Sequence, residues 1–330
     1  MRLRLDPSIS RRLLCVGVLL LLSLMFSPPI QSHAYNQIND LTNVKVAIYN
    51  GNGPMLSSRI ALTRMFQWMN ATVVNVTASQ ILNGFLDDCD IVVFPGGSET
   101  SYNAELESEG RQKIQDFVGN GGSYFGICGG ATFGVSYLHL FNGFITPVNE
   151  PGSTIHATTM NLNRSSMGPN LSDFPSNFTT MYYASQYFVP KWGVSFHPIA
   201  RYDYNDQPGM IAFKYKNGTT FLSSPHPEYE ENGDRDGTAF GEYLNDTDSE
   251  WPLLLQVSRW LIDESPFTPA VTTATSTALT NSTTTTVNTN SSTTSGGSLF
   301  TFGMPLIIVA STGGVLIVLV ALILFRRTHG

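Results

Sequence analysis

The chain has 330 residues, with 18 Lys and Arg against 25 Asp and Glu, a net charge of −7, and three cysteines. That length leaves room for one large domain or two small ones. With no basic patch, the acidic balance excludes nucleic acid as a partner and bears mainly on solubility.

Residues 1–34 begin with Arg2, Arg4, Arg11 and Arg12, continue through an apolar core from Leu13 to Phe26, and close on Ser32-His33-Ala34. This is the pattern of a secretory signal peptide cleaved before Tyr35. Val44 to Tyr49 then reads as a first strand, ended by Asn50-Gly51-Asn52-Gly53-Pro54. Ser57 to Met69 carries Ile60, Leu62, Met65, Phe66 and Met69 at helical spacing. Thr72 to Val76 is a second strand, Ala78 to Phe85 a short helix, and Ile91 to Phe94 a third strand, apolar throughout as in a parallel sheet covered on both faces. Gly110 to Val118 predicts the next helix, leading into a strand over Gly122 to Ile127. The alternation predicts an α/β fold with a doubly wound, mostly parallel, flavodoxin-like sheet.

Gly126-Ile127-Cys128-Gly129-Gly130-Ala131 follows that strand, and Thr132-Phe133-Gly134-Val135 can begin a helix. A nucleophile between strand and helix sits on a strained turn whose neighbours must be small. The helix N-terminus favours a thiolate there. Pro95-Gly96-Gly97-Ser98 lies at the matching end of the third strand. The N–H groups of Gly97 and Gly129 can together form an oxyanion hole. Taken singly, each stretch also fits an ordinary glycine-rich turn. Cys15 leaves with the signal peptide, so Cys89 and Cys128 remain. They stand before and after neighbouring strands, roughly 17 Å apart at about 3.3 Å per residue, and a disulfide needs Cα atoms within about 7 Å. Cys128 is expected as a free thiol.

Residues from about 141 to 204 are rich in Asn, Ser, Pro and aromatics and read only as short strands and loops. Gly209 to Tyr215 and Thr219 to Ser223 flank Lys216-Asn217-Gly218, a hairpin signal. The hairpin delivers Ser224-Pro225-His226-Pro227-Glu228, where the carboxylate can orient an imidazole that deprotonates a thiol. His156 and His197 compete for that role but have no carboxylate two residues away. Trp251 to Ile262 is an amphipathic helix that closes the domain.

Residues 266–302, almost wholly Thr, Ser, Asn, Ala and Gly from Thr268 to Ser298, predict an O-glycosylated stalk. Residues 303–325 are long and apolar enough for a transmembrane helix, and Arg326-Arg327 place the tail, 326–330, in the cytoplasm. The domain at 35–265 then faces outward on a single-pass, cell-surface protein. Setting aside four Arg and one Asp of the signal segment and two Arg of the tail leaves 12 basic and 24 acidic residues, a net of −12. Sequons at Asn70, Asn75, Asn163, Asn170, Asn177, Asn217, Asn245, Asn281 and Asn290 suit an exported glycoprotein.

A Pro-Gly-Gly turn after one strand, Gly-x-Cys-x-Gly after the next and a late His-x-Glu after a hairpin resemble the class I glutamine amidotransferase-like superfamily, over Val44 to Ile262. Within it, Phe94-Pro95-Gly96-Gly97, Tyr102 and Gly126-Ile127-Cys128-Gly129-Gly130-Ala131 look most like the amidotransferase-like domain at the N-terminus of some biotin–protein ligases. The resemblance implies Cys128 as nucleophile, His226 as base, Glu228 as its orienter, and Gly97 with Gly129 as oxyanion donors. Glu99, Tyr102 and Thr132 become candidate substrate contacts. Glutamine-using members carry Gln four residues after the Cys, where this chain has Thr132, and no synthetase or ligase segment follows the domain. The expectation is a thiol hydrolase or amidase acting on an amide or γ-glutamyl bond of a small molecule or peptide, with no cofactor and no metal. The alternative is a catalytically inactive ligand- or partner-binding module of the same fold.

Overall fold

Successive residues of the central strands face opposite cores, and this two-sided alternation builds the sheet. The computed structural model describes residues 40–266, apart from 165–167, 231–233 and 247–248. The expected signal peptide, nearly all of the stalk, the membrane helix and the tail lie outside the described residues, as do Asn281 and Asn290. Among the described residues no helix is long and apolar enough to cross a membrane.

The chain runs β1 (Lys45–Tyr49), α1 (Leu56–Trp68), β2 (Thr72–Val76), α2 (Ala78–Leu82), β3 (Ile91–Phe94), α3 (Glu99–Gly119), β4 (Ser123–Ile127) and α4 (Gly129–Ser136). It continues through β5 (Gly143–Pro147), β6 (Ile155–Leu162), β7 (Asn177–Tyr183), β8 (Gln186–Pro190) and β9 (His197–Tyr202). The last elements are β10 (Pro208–Tyr215), β11 (Gly218–Ser223) and α5 (Trp251–Asp263). Nine strands form one sheet in the order β2-β1-β3-β4-β11-β10-β9-β6-β7, while β5 and β8 pair separately. From β2 to β11 every pairing is parallel. From β11 to β7 every pairing is antiparallel. The expected parallel sheet is present, and the stretch read as short strands and loops supplies β9, β6 and β7, which extend it beyond the expected β10–β11 hairpin as an antiparallel wing.

Val46, Ile48, Ile91, Val93, Phe125, Ile127 and Phe221 pack on one face with Leu62, Met65 and Phe66 of α1 and Leu254, Val257 and Leu261 of α5. Ala47, Tyr49, Val92, Phe94, Tyr124 and Leu222 face the other way, against Ile81, Ile114, Phe117, Val118, Ala131 and Phe133. Each large apolar side chain so buried contributes about 1.5–3 kcal/mol. Burial on both faces explains why these strands read as continuous apolar runs.

Three of the boundaries that differ from expectation have a local physical cause. The helix expected over 78–85 stops at Leu82, because Gly84 turns left-handed at φ 82° and a 3₁₀ turn follows over Phe85–Asp88. A Thr77–Gln80 capping box fixes its start. The helix expected over 110–118 begins eleven residues earlier, where the Ser98 side chain accepts the Ser101 N–H. In the hairpin, Tyr215 pairs with Gly218, so only Lys216 and Asn217 form the turn, with Lys216 at φ 54°. Gly218 is required for another reason. A Cβ there would meet the Val118 carbonyl at 2.1 Å, so the glycine lets β11 pass close to the end of α3.

Candidate active site

β3, β4 and β11 end level with one another, since Phe94 pairs with Gly126 and Ile127 with Ser223. The loops that follow them meet in one crevice at the carboxyl ends of the parallel strands, where ligands bind in sheets of this kind. Cys128 forms the corner between β4 and α4, with φ 49° and ψ −110°. Its N–H donates to the Ser223 carbonyl at 2.7 Å, and its carbonyl accepts the Thr132 N–H at 2.9 Å. A non-glycine residue held at positive φ costs of order 1–3 kcal/mol and persists only where its surroundings impose it.

Those surroundings are glycines pressed against backbone. A Cβ on Gly129 would lie 1.9 Å from the Gly97 carbonyl, one on Gly130 would lie 2.0 Å from the Phe94 carbonyl, and one on Gly126 would meet Gly130 O at 2.8 Å. The small residues flanking Cys128 are therefore a packing requirement. Gly97, at φ 152°, and Gly129 both line the crevice, and among the described residues neither N–H is given to a backbone carbonyl. They are the pair expected to meet an oxyanion.

β11 delivers the other half of the site. His226 is fully buried, and its N–H is anchored on the Met181 carbonyl at 2.9 Å. Its Nδ1 lies 2.9 Å from Oε1 of Glu228, also fully buried, and the Glu228 carbonyl accepts the Trp251 indole N–H at 2.9 Å. The imidazole is held between the rings of Tyr183 and Tyr229, at centroid distances of 6.0 and 5.5 Å. Burial alone would lower its pKa. The Glu228 carboxylate and the nearby Cys128 sulfur outweigh that and hold it well above the ordinary histidine value. Nε2, the other ring nitrogen, is buried and reaches no hydrogen-bond partner.

Cys128 also lines a cavity of about 490 Å³, together with Gly53, Pro54, Met55, Ser98, Glu99, Thr132, Tyr183, Ala184, Gln186 and Ser224. Of the candidate substrate contacts, Glu99 and Thr132 line the cavity. Tyr102 does not: it is fully buried, packs in the core with Phe94 and Phe133, and donates its hydroxyl to the Pro95 carbonyl at 2.9 Å. It braces the oxyanion turn from behind and is not a wall of the cavity. His156 stacks on Tyr182 with Nδ1 at the Ser153 carbonyl, and His197 packs against Trp260, so neither competes with His226. Cys89 and Cys128 are both free. Cys89 is buried in the second core, and burial pushes its thiol up to about 11. Among the described residues no cluster of three or more His, Cys, Asp and Glu is arranged to hold a metal ion.

Two contributors were not read from the sequence. Gln186, at the start of β8, is fixed by its N–H to Ser224 Oγ at 2.7 Å and its carbonyl to the Tyr202 hydroxyl at 2.9 Å. Its side-chain oxygen accepts the Thr132 hydroxyl at 3.1 Å. Ser58, on α1, donates to Glu228 Oε1 at 2.7 Å and accepts the Gly96 N–H at 2.8 Å. Ser58 did leave a signal, because it falls in the apolar stripe with Leu62 and Met65. A serine in such a stripe needs a partner for its hydroxyl.

Residues 44–144 match the model of the family described as biotin-protein ligase, N terminal. Over that segment the resemblance read from the motifs is borne out. The chain is 26% identical over 218 residues to a biotin–protein ligase of Schizosaccharomyces pombe, which covers 58% of this chain and 34% of the ligase. It is 29% identical over 158 residues to an uncharacterized protein of Chlamydia muridarum, covering 42% of this chain and 60% of that protein. The chain thus spans about a third and three fifths of the length of these curated relatives. A solved glutamine amidotransferase from Thermotoga maritima is similar at 14% identity and a TM-score of 0.43, over 67% of this chain and 91% of that one. The family match ends before His226 and Glu228, so their part in the site rests on geometry.

Proposed function

We propose that the chain is an exported, membrane-anchored thiol hydrolase or amidase that opens an amide or γ-glutamyl bond through an acyl-thioester on Cys128. The observation that carries this reading is a strained Cys128 that lines the cavity and acts on the buried His226, itself paired with Glu228. Export and anchoring draw on the sequence of residues 1–34 and 303–330 alone. The raised pKa of His226 favours an imidazolium, which sustains a thiolate beside it. Sγ attacks the carbonyl carbon, forming a C–S bond, and the carbonyl oxygen takes up charge facing the N–H groups of Gly97 and Gly129. Collapse breaks the C–N bond while His226 passes its proton to the departing amine. A water deprotonated by His226 then attacks the thioester, releasing the acid and restoring the thiol. Among the described residues Glu99 is the one carboxylate lining the cavity, which suits an uncharged or cationic group of a small molecule or peptide.

The second reading, a catalytically inactive binding module, is favoured by the unpartnered Nε2 of His226. Alkylation of the full-length chain by iodoacetamide across pH separates the two. Cys89 stays silent because its thiol is pushed up to about 11. A working site predicts that Cys128 reacts about tenfold faster at neutral pH than a free thiol of ordinary pKa, and that Cys128→Ala abolishes hydrolysis of amide and γ-glutamyl substrates. A Cys128 no more reactive than a free thiol favours the binding module.

A further inference from the structure

We infer that the cavity at Cys128 selects amides that also carry a protonated amine, and that Glu99 is the residue that makes the choice. This rests on the reading of Cys128 above for turnover, though its first test needs none.

Charge around the cavity is one-sided. Glu99 lines it, half-buried, and among the described residues no Lys, Arg or His does. Its carboxylate is in no ion pair with a described residue. A second carboxylate stands behind the wall. Glu105 accepts the N–H of Asn52, beside the lining residue Gly53, and the hydroxyl of Tyr49. The positive charge of His226 does not offset these two, because it is matched by Glu228 at 2.9 Å and by the Cys128 sulfur. Other polar groups of the wall are neutral and partly spent on one another. The Thr132 hydroxyl donates to the Gln186 side chain at 3.1 Å, and Ser224 Oγ accepts the Gln186 N–H at 2.7 Å. A cleft lined by one sign of charge draws in the opposite sign and speeds its arrival by about ten- to a thousandfold.

The start of α1 pulls the other way. It follows Met55 of the lining and has neither an acidic residue in its first turn nor a side-chain cap, so its N–H groups favour an anion. A helix end is equivalent to roughly half a charge. Glu99 carries a full one and Glu105 adds to it, so the cation wins. The N-terminus of α3 does not help an anion either, because Glu99 is its first residue and Ser98 Oγ already accepts the Ser101 N–H. An ammonium, which only donates, fits a carboxylate, which only accepts. The substrate class is therefore an amide with an amine elsewhere in the molecule, as in a peptide that begins with glutamine.

The test compares two thiol reagents of similar size and opposite charge, aminoethyl and sulfonatoethyl methanethiosulfonate, on the full-length protein at neutral pH and low salt. Cys128→Ala gives the labelling to subtract. Relative to the same ratio for a small free thiol, Cys128 should favour the cationic reagent about tenfold, and added salt should weaken the preference. Glu99→Gln should remove most of it, and Glu99→Asp should keep it. A wild-type ratio no higher than that of the free thiol overturns the inference. So does a preference for the anion, or a ratio that Glu99→Gln leaves unchanged. Ammonia release from a cationic glutaminyl peptide amide, neutral N-acetylglutamine amide and anionic N-acetylglutamine extends the test to substrates. Their kcat/KM should fall in that order, and Glu99→Gln should collapse the order through KM. An anionic amide turned over as fast as the cationic one overturns the inference. No turnover of any of the three, with the reagent preference intact, removes the hydrolase and leaves the charge selection standing.

Discussion

His226 is buried completely, and burial works against its charged form, yet Glu228 and Cys128 beside it raise its pKa well above the ordinary value. A pKa raised on folding adds stability that is complete below the unfolded value of about 6.5 and fades as the pH climbs through the folded one. The wild type should therefore lose stability on the alkaline side. Glu228→Gln removes the charge that does most to raise that pKa and should flatten the loss. Urea unfolding of both proteins between about pH 6 and pH 9 measures the slope; equal slopes would show that the pair is not its source. Cys128, His226 and Glu228 were legible in the sequence because each sits in a short local pattern. The partners of Ser58 and Gln186 were not, because Glu228 and Thr132 lie 170 and 54 residues away. No local spacing records such a contact.

At the scale of elements, the parallel half of the sheet was readable because both faces of its strands are buried and their runs are apolar. Of the antiparallel half only the β10–β11 hairpin was. β7 reads Asn-Phe-Thr-Thr-Met-Tyr-Tyr, with polar Thr180 fully buried beside Met181, so no alternation marks a face. The first half of α3 was missed for a related reason. Only Tyr102 and Leu106 point inward before the helix is interrupted at Glu107, which sits at φ 52° and ψ −162°. That region is almost reserved for glycine and costs of order 1–3 kcal/mol for another residue. Glu107 is exposed, so nothing packs on its side chain. Glu107→Gly should relieve the backbone and stabilise the protein by about 1 kcal/mol, read as a raised unfolding midpoint. A lowered midpoint would mean that the interruption is not strained.

For the whole molecule, export and topology bear on one another. The nine-stranded sheet is open, with β2 and β7 at its edges, and an exposed edge invites pairing with another chain. Each edge strand carries a sequon asparagine that is exposed, Asn75 in β2 and Asn177 in β7. On the exported reading proposed above, a glycan at either position would also cover an edge. The structure separates the sequons further. Asn217 is exposed in the two-residue turn between β10 and β11. Asn163 is half-buried, and its side-chain nitrogen donates to the Pro198 carbonyl at 2.8 Å. A glycosyltransferase needs that nitrogen free in an accessible loop. Protein secreted from a glycosylating host and treated with an amidase that removes N-glycans should show the resulting Asn-to-Asp mass change at Asn75, Asn177 and Asn217, and none at Asn163. Modification of Asn163 would mean that its sequon is glycosylated before the wing closes over it. A protein unmodified at every sequon would count against export itself, while leaving the chemistry of Cys128 to be decided by its alkylation.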